Sequence, residues 1–216
     1  MKYQLPIIIL SFIAFNAFSQ NNFETGYYIN NEGSVQECLI KNIDWRNNPK
    51  KFEYKLNRTS DPLKKSIESV QEFGILDHCK YIRKKVKLDR SSIDFHGISE
   101  FKEPELVEEE VFLKVLIEGA HNLYLHEEKA YKKFLFNVGS AEIVQLIYKK
   151  YLVDVNKIKE NIHFKQQLLN SNDCTDISKI DIEELKYLQN DLVKHFIRLN
   201  KCHNTDFTDF EKNKNR

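Results

Sequence analysis

The spacing of apolar residues changes along this chain, and each spacing predicts a different element. Ile7 to Phe15 is an apolar run of nine residues broken only by Ser11. It is too short to span a bilayer, which takes about 20 residues. Lys2 precedes it, and the small residues Ala17 and Ser19 follow at the −3 and −1 positions of a peptidase site. Residues 1–19 therefore read as a secretory signal cleaved between Ser19 and Gln20. From Thr25 the pattern is that of strands. Thr25–Asn30 and Val35–Asn42 flank Asn31-Glu32-Gly33-Ser34, a turn in which Gly33 can take positive φ. Asn47-Asn48-Pro49 is a second turn, Phe52–Leu56 a further strand, and Asp61-Pro62 a break. Ile67–Phe73 fits one helical turn before Gly74. Tyr81–Leu88 alternates, with Ile82, Val86 and Leu88 on one face and Tyr81, Arg83, Lys85 and Lys87 on the other, a half-buried strand. After an irregular stretch from Ser91 to Glu110, Val111–Glu118, Asn122–Glu127 and Tyr131–Phe136 predict a three-stranded meander.

Beyond Gly139 the period lengthens. Ser140 fits an N-cap, and Ile143, Val144, Ile147, Tyr148 and Tyr151 share one helical face. Ile158, Ile162 and Leu169 mark a second helix, and Ser178 with Asp181 resembles a capping box. Ile182, Leu185, Leu188, Leu192, Phe196 and Leu199 then run helically towards Cys202. Strands first and helices last make an α+β chain: antiparallel β meanders over the N-terminal two thirds, then a helical segment. The predicted divisions are the signal at 1–19, a β-rich region at 20–138, a helical region packed on it at 139–203, and a disordered polar tail at 204–216.

Cleavage would leave 216 − 19 = 197 residues, and the loss of Lys2 alone takes the formal charge from +1 to +1 − 1 = 0. That balance gives no whole-molecule reason to expect nucleic acid as a partner. No apolar stretch in the mature chain is long enough for a transmembrane helix. Outside the cytoplasm, four cysteines pair more readily than they bind metal or catalyse. Cys174 and Cys202 flank the apolar-periodic stretch from Ile180 to Leu199. As one straight helix that stretch would be roughly 30 Å long, too long for an unstrained bridge across its ends. Asn190-Asp191 offers a break, because both residues cap helices better than they continue them. A short helix near Ser178–Leu185, a turn around Lys186–Asn190 and a second helix to Lys201 would bring Cys202 back beside Cys174. Whether Cys38 pairs with Cys79 stays open, since Cys38 falls in mid-strand.

Candidate chemistry is sparse. The six glycines lie too far apart for G-x-G-x-x-G, the P-loop or G-x-S-x-G, so nucleotide cradles and nucleophile elbows are excluded and no cofactor is predicted. His121 and His126, followed by Glu127 and Glu128, are the densest group of ligand types. Their spacing of five on a straight strand puts them on opposite faces, so they read as surface hairpin residues and no metal is predicted. His195 reads as solvent-facing on the polar side of its helix. Lys80, Arg83, Lys84, Lys85, Lys87 and Arg90 form a basic strip, and the run of glutamates from Glu100 to Glu110 can neutralise it within the molecule. No carboxylate pair stands out for catalysis.

Several segments resemble a known family in wording. They are Gly26-Tyr27-Tyr28-Ile29, Glu37-Cys38-Leu39-Ile40-Lys41-Asn42-Ile43-Asp44-Trp45 with Asn48-Pro49, Phe52-Glu53-Tyr54-Lys55 and Glu72-Phe73-Gly74-Ile75. Lys80-Tyr81-Ile82-Arg83, Leu88-Asp89-Arg90-Ser91-Ser92, Phe112-Leu113-Lys114-Val115-Leu116-Ile117-Glu118-Gly119 and Tyr148-Lys149-Lys150-Tyr151-Leu152 continue the series. Together they resemble the N-terminal exported domain of an uncharacterised Bacteroidota family whose members often continue into an outer-membrane β-barrel. The resemblance implies a place at the outer membrane or in the periplasm and brings no catalytic residues. No run of barrel strands follows in this sequence. The expected function is a non-enzymatic envelope domain that binds a protein or glycan partner. The alternative is an exported hydrolase acting on an envelope polymer. N-terminal sequencing of the protein from its native host should find Gln20 first, and a chain beginning at Met1 in the cytoplasm would remove the basis for both export and oxidation.

Overall fold

A computed structural model describes residues 22–91, 98–129, 131–154 and 157–212; the predicted signal and its Ser19–Gln20 cleavage point lie outside them. The chain is α+β, with antiparallel meanders first and helices last. Strands β1 (Phe23–Asn30), β2 (Val35–Lys41), β3 (Lys51–Lys55) and β4 (Leu63–Ser66) form one meander. A 3-10 turn at Ile67–Ser69 leads to the second: β5 (Val70–Ile75), β6 (Cys79–Asp89), β7 (Leu106–Glu118), β8 (His121–Glu128), β9 (Tyr131–Val138) and β10 (Val144–Gln145). The meanders join where β1 pairs with β5, giving a sheet in the order β10-β9-β8-β7-β6-β5-β1-β2-β3-β4. That seam depends on glycine: a Cβ at Gly26 would sit 2.3 Å from the Gly74 carbonyl oxygen. The turn between β1 and β2 uses Gly33 at φ 81°, as its sequence predicts.

Alternation along the strands builds the cores on both faces of the sheet. Phe73, fully buried on β5, stacks on Phe52 at 4.2 Å and on Tyr81 at 4.9 Å, with Trp45 and Phe112 edge-on to it. Leu123, Leu125, Phe134 and Phe136 of β8 and β9 face the helices, while Tyr124 and Leu135 between them face Val86, Leu88 and Leu113 on the other side.

The helices are α1 (Phe164–Ser171), α2 (Lys179–Glu183) and α3 (Gln189–Cys202). Ser178 caps α2 in a capping box: its Oγ accepts from the Asp181 N–H, and Asp181 accepts from the Ser178 N–H. The chain turns between Glu184 and Leu188 before α3 begins. Cys174 and Cys202, at the two ends of this hairpin, are joined by a disulfide with their Cα atoms 6.0 Å apart. Closing a loop of 28 residues stabilises the fold by about 3–4 kcal/mol in the chain-entropy picture.

The structure departs from the sequence pattern in several places; the helical turn expected over Ile67–Phe73 ends at Ser69, and Tyr81, expected on the polar face of its strand, is buried. The helix expected from Ser140 does not form. Gly139, at φ 56°, turns the chain into β10, which pairs with β9, and residues 149–161 make a separate ribbon, β11 (Lys149–Asp154) with β12 (Lys157–Asn161). The β-branched Ile143, Val144 and Ile147 suit strands, and the Gln145 amide is captured by the Asp89 backbone N–H at 2.8 Å, so tertiary contacts override the helical period. Ile158 and Ile162 accordingly lie outside α1. The tail is also not wholly disordered: β13 (Thr208–Asp209) pairs with β7, and Phe207 and Phe210 pack against clusters on opposite faces of the sheet. Cys38 and Cys79, whose pairing the sequence leaves open, are not bonded to each other. They lie in one row across the sheet, Cys38–Gly26–Ile75–Cys79, three strand spacings or about 14 Å apart. Both are buried, and burial pushes the Cys38 thiol up to about 11.

The two halves of the molecule meet at Asn48, in the loop between β2 and β3. Its N–H donates to the Glu127 carbonyl and its Oδ1 accepts from the Glu127 N–H, both at 2.8 Å. Its Nδ2 donates to the Phe112 carbonyl and, at 3.1 Å, to the Leu125 carbonyl. Asn48→Ala should cost about 2–3 kcal/mol in urea unfolding, because three backbone groups lose their partner. Asn48→Asp should be worse, since its carboxylate would face two carbonyl oxygens; an unchanged midpoint in either variant would show that the loop docks by other means.

Candidate functional site

A cleft opens where β7 and β8 part. The two strands pair from Lys114 to Ile117 and separate beyond, β7 staying with β6 as far as Leu106 and β8 with β9. Asn48 fills the fork. Past it lies a cavity of about 610 Å³, lined by residues 47–50, Ile67 and Glu68, Arg90, residues 109–112 and residues 126–129. That is the size of an ordinary ligand site.

Arg90, just past the end of β6, organises the charges. Its Nε and Nη2 grip the two oxygens of Glu109, and its Nη1 donates to Glu128 at 2.6 Å. The hydrogen bonds from Arg90 hold both carboxyls below the usual range, against the effect of burial. Both are therefore ionised at neutral pH. Beside them His126 is buried, with neither ring nitrogen hydrogen-bonded, and its Nε2 lies 3.7 Å from Glu128. Burial, aided by the charge of Arg90, lowers its pKa and keeps the ring neutral; Glu128 and Glu109 oppose this.

No family model, no curated protein and no solved structure matches the chain. What the cleft can do follows from its own chemistry. A glycosidase-type pair needs one carboxyl raised enough to carry a proton. Here one guanidinium holds both carboxylates ionised, beside the apolar surface of Pro49, Ile67, Val111 and Phe112.

The remaining sequence candidates divide. The basic strip is neutralised within the sheet: Lys80 pairs with Glu72 and Glu118, Arg83 with Glu110 at 3.7 Å, Lys85 with Glu108 at 2.6 Å. The register of β6 on β7 sets Arg83 and Lys85 diagonally across from Glu110 and Glu108, within reach of their long side chains. His121 and His126 do face opposite sides of β8, but neither is a surface residue: they are 2% and 5% exposed. His121 lies beneath α3, where the Asn200 amide accepts from its N–H and donates to its carbonyl. Its ring stacks on His203 at 5.3 Å between centroids, and its Nε2 lies 3.3 Å from Asp173 Oδ1. His203 Nε2 meets the same oxygen at 2.7 Å. Asp173 and His203 had no distinguishing signal in the sequence beyond standing next to Cys174 and Cys202. A second convergence, Cys174, Cys202 and Asp176, has its two sulfurs joined to each other.

His195 is also not solvent-facing; it is 3% exposed. The 174–181 segment lies against α3, tied by the disulfide and by Arg198 to the Asp176 carbonyl and the Asp181 carboxylate, and it closes off the helix face assigned to water. Burial, helped by the Arg198 charge, pushes the His195 ring down to about 4. In the unfolded chain it titrates near 6.5, so between these values the unfolded state binds more protons. Stability should therefore be intact above about pH 6.5 and fall as pH drops towards 4, by about 3 kcal/mol from this residue. His121 and His126, also lowered by burial, act in the same direction. Urea unfolding at pH 7 and pH 4.5 should show a smaller loss for His195→Leu than for the wild type; equal losses would rule this residue out as a source.

Proposed function

We propose that the chain is a non-enzymatic exported domain of the cell envelope that binds a protein or glycan partner in the cleft between β7 and β8. The carrying observation is the grip of Arg90 on Glu109 and Glu128, which fixes both carboxylates as ionised acceptors and leaves no protonated acid between them. A disulfide suits an oxidising compartment, and no helix among the described residues is long and apolar enough to cross a membrane. The resemblance to an exported Bacteroidota domain supports the same setting.

Charge narrows the partner. The lining carries Glu68, Glu109, Glu110, Glu127 and Glu128 against Lys50, Arg90 and Lys129, five acidic groups to three basic. A protein segment with a lysine or arginine side chain fits that balance better than an anionic polymer. The mature chain used as bait on envelope fractions should retain a partner at low salt. Glu110→Gln at the exposed rim should cut retention severalfold with little change in melting temperature, because its pair with Arg83 at 3.7 Å is a loose surface contact and a rim charge tunes association more than folding. Reproducible turnover of peptidoglycan, peptide, ester or phosphate substrates that vanishes in Glu128→Gln would reassign the cleft to a hydrolase.

A further inference from the structure

We propose that His121, Asp173 and His203 form a binding site for a late first-row divalent cation, with Zn²⁺ as the reference ion, held in place by the Cys174–Cys202 disulfide. Two imidazoles and one carboxylate are a donor set that zinc, copper and nickel take. The three ligand atoms lie within 4.8 Å of one another. A tetrahedral site with bonds of about 2.0–2.1 Å needs ligand atoms about 3.3 Å apart. His121 Nε2 stands 3.3 Å from Asp173 Oδ1 already. His203, at 2.7 Å from that oxygen, has only to exchange a hydrogen bond for a shared ion. Asp173 and His203 reach solvent and can turn, while His121 is fixed in the strand.

A surface pair between His203 and Asp173 alone would be unremarked. What calls for a ligand is His121, which is buried at the back of the group with both ring nitrogens lacking a hydrogen bond. A buried ring nitrogen without a partner is costly, and a cation at Nε2 would satisfy that nitrogen, with the ring proton on Nδ1. The disulfide supplies the remaining element. Asp173 directly precedes Cys174 and His203 directly follows Cys202, so one covalent link sets the two outer ligands side by side. The site stands independently of the partner cleft: His121 and His126 are at opposite ends of β8, about 17 Å apart along the strand.

The test uses the oxidised mature chain, freed of metal with a chelator, and Co²⁺ and Zn²⁺ as probes. Titration should give one Co²⁺ per chain with visible ligand-field absorption, displaced by Zn²⁺. His203→Ala and Asp173→Ala, both at accessible positions, should each weaken binding about tenfold or more without changing the melting temperature of the metal-free protein. On adding Zn²⁺, the ring ¹⁵N resonances of His121 and His203 should shift while those of His126 and His195 stay in place. Replacing both bridged cysteines by serine (Cys174→Ser with Cys202→Ser), which leaves no thiolate to compete, should weaken the affinity by a similar factor. No saturable binding, binding that survives either substitution, or a His121 ring that does not respond overturns the site. Equal affinity in the folded double serine variant overturns the part assigned to the disulfide.

Discussion

Two strands of one sheet cannot part without leaving the facing N–H and C=O groups without partners, and Asn48 is the residue that makes the parting of β7 and β8 tolerable. Its backbone and side chain together offer two kinds of donor and an acceptor to Glu127, Phe112 and Leu125. The neighbouring Asn47 accepts from the Lys129 N–H at 2.6 Å, so the loop stays bonded past the end of β8. Because these bonds take up the fork, β7 can follow β6 while β8 follows β9. The cleft lies in the angle between them. The same loop carries Trp45 onto Phe73 and Tyr81, so the clasp that opens the cleft also closes the aromatic core.

A second polar device holds the far side of the fork. Asp89 and Lys133, 1% and 5% exposed at their side chains, pair at 2.8 Å between β6 and β9. Asp89 Oδ1 also accepts from the N–H groups of Ser91 and Glu105, and its own N–H is taken by Gln145. Burial works against the carboxylate, yet Lys133 and Ser91 hold its pKa below the ordinary value. Such a pair adds little stability compared with a well-packed apolar core, but removing one partner leaves an uncompensated buried charge at about 3–5 kcal/mol. Its use here is positional. It fixes the end of β6, and the next residue is Arg90.

How far the sequence discloses this molecule depends on the range of the interaction concerned. Alternation from Tyr81 to Leu88, the Gly33 turn, the Ser178 capping box and the helix break before Asn190 are set within a few residues, and each forms where its pattern places it. Positions 143–151 fit a helical face by spacing, but Gln145 is decided by Asp89, 56 residues away. His195 lies on the polar side of its helix by periodicity, and the segment that buries it is brought there by a disulfide. The cleft was illegible for the same reason. Arg90 read as one more base in a strip and Glu109 as one more acid in a run, and only the register of β6, β7 and β8 makes them partners.

Strand β8 shows how little residue type alone decides. Each of its two buried histidines has a ring without hydrogen bonds, and each lies near a carboxylate. At His126 the Arg90 guanidinium acts on the ring beside Glu128 and Glu109, is bonded to both carboxylates and repels a cation. The ring there stays neutral, with both nitrogens shielded from solvent. At His121 the carboxylate of Asp173 is shared with a second imidazole, that of His203. One guanidinium at one end, and one disulfide at the other, separate a surface suited to a partner's polar groups from a cluster suited to a metal.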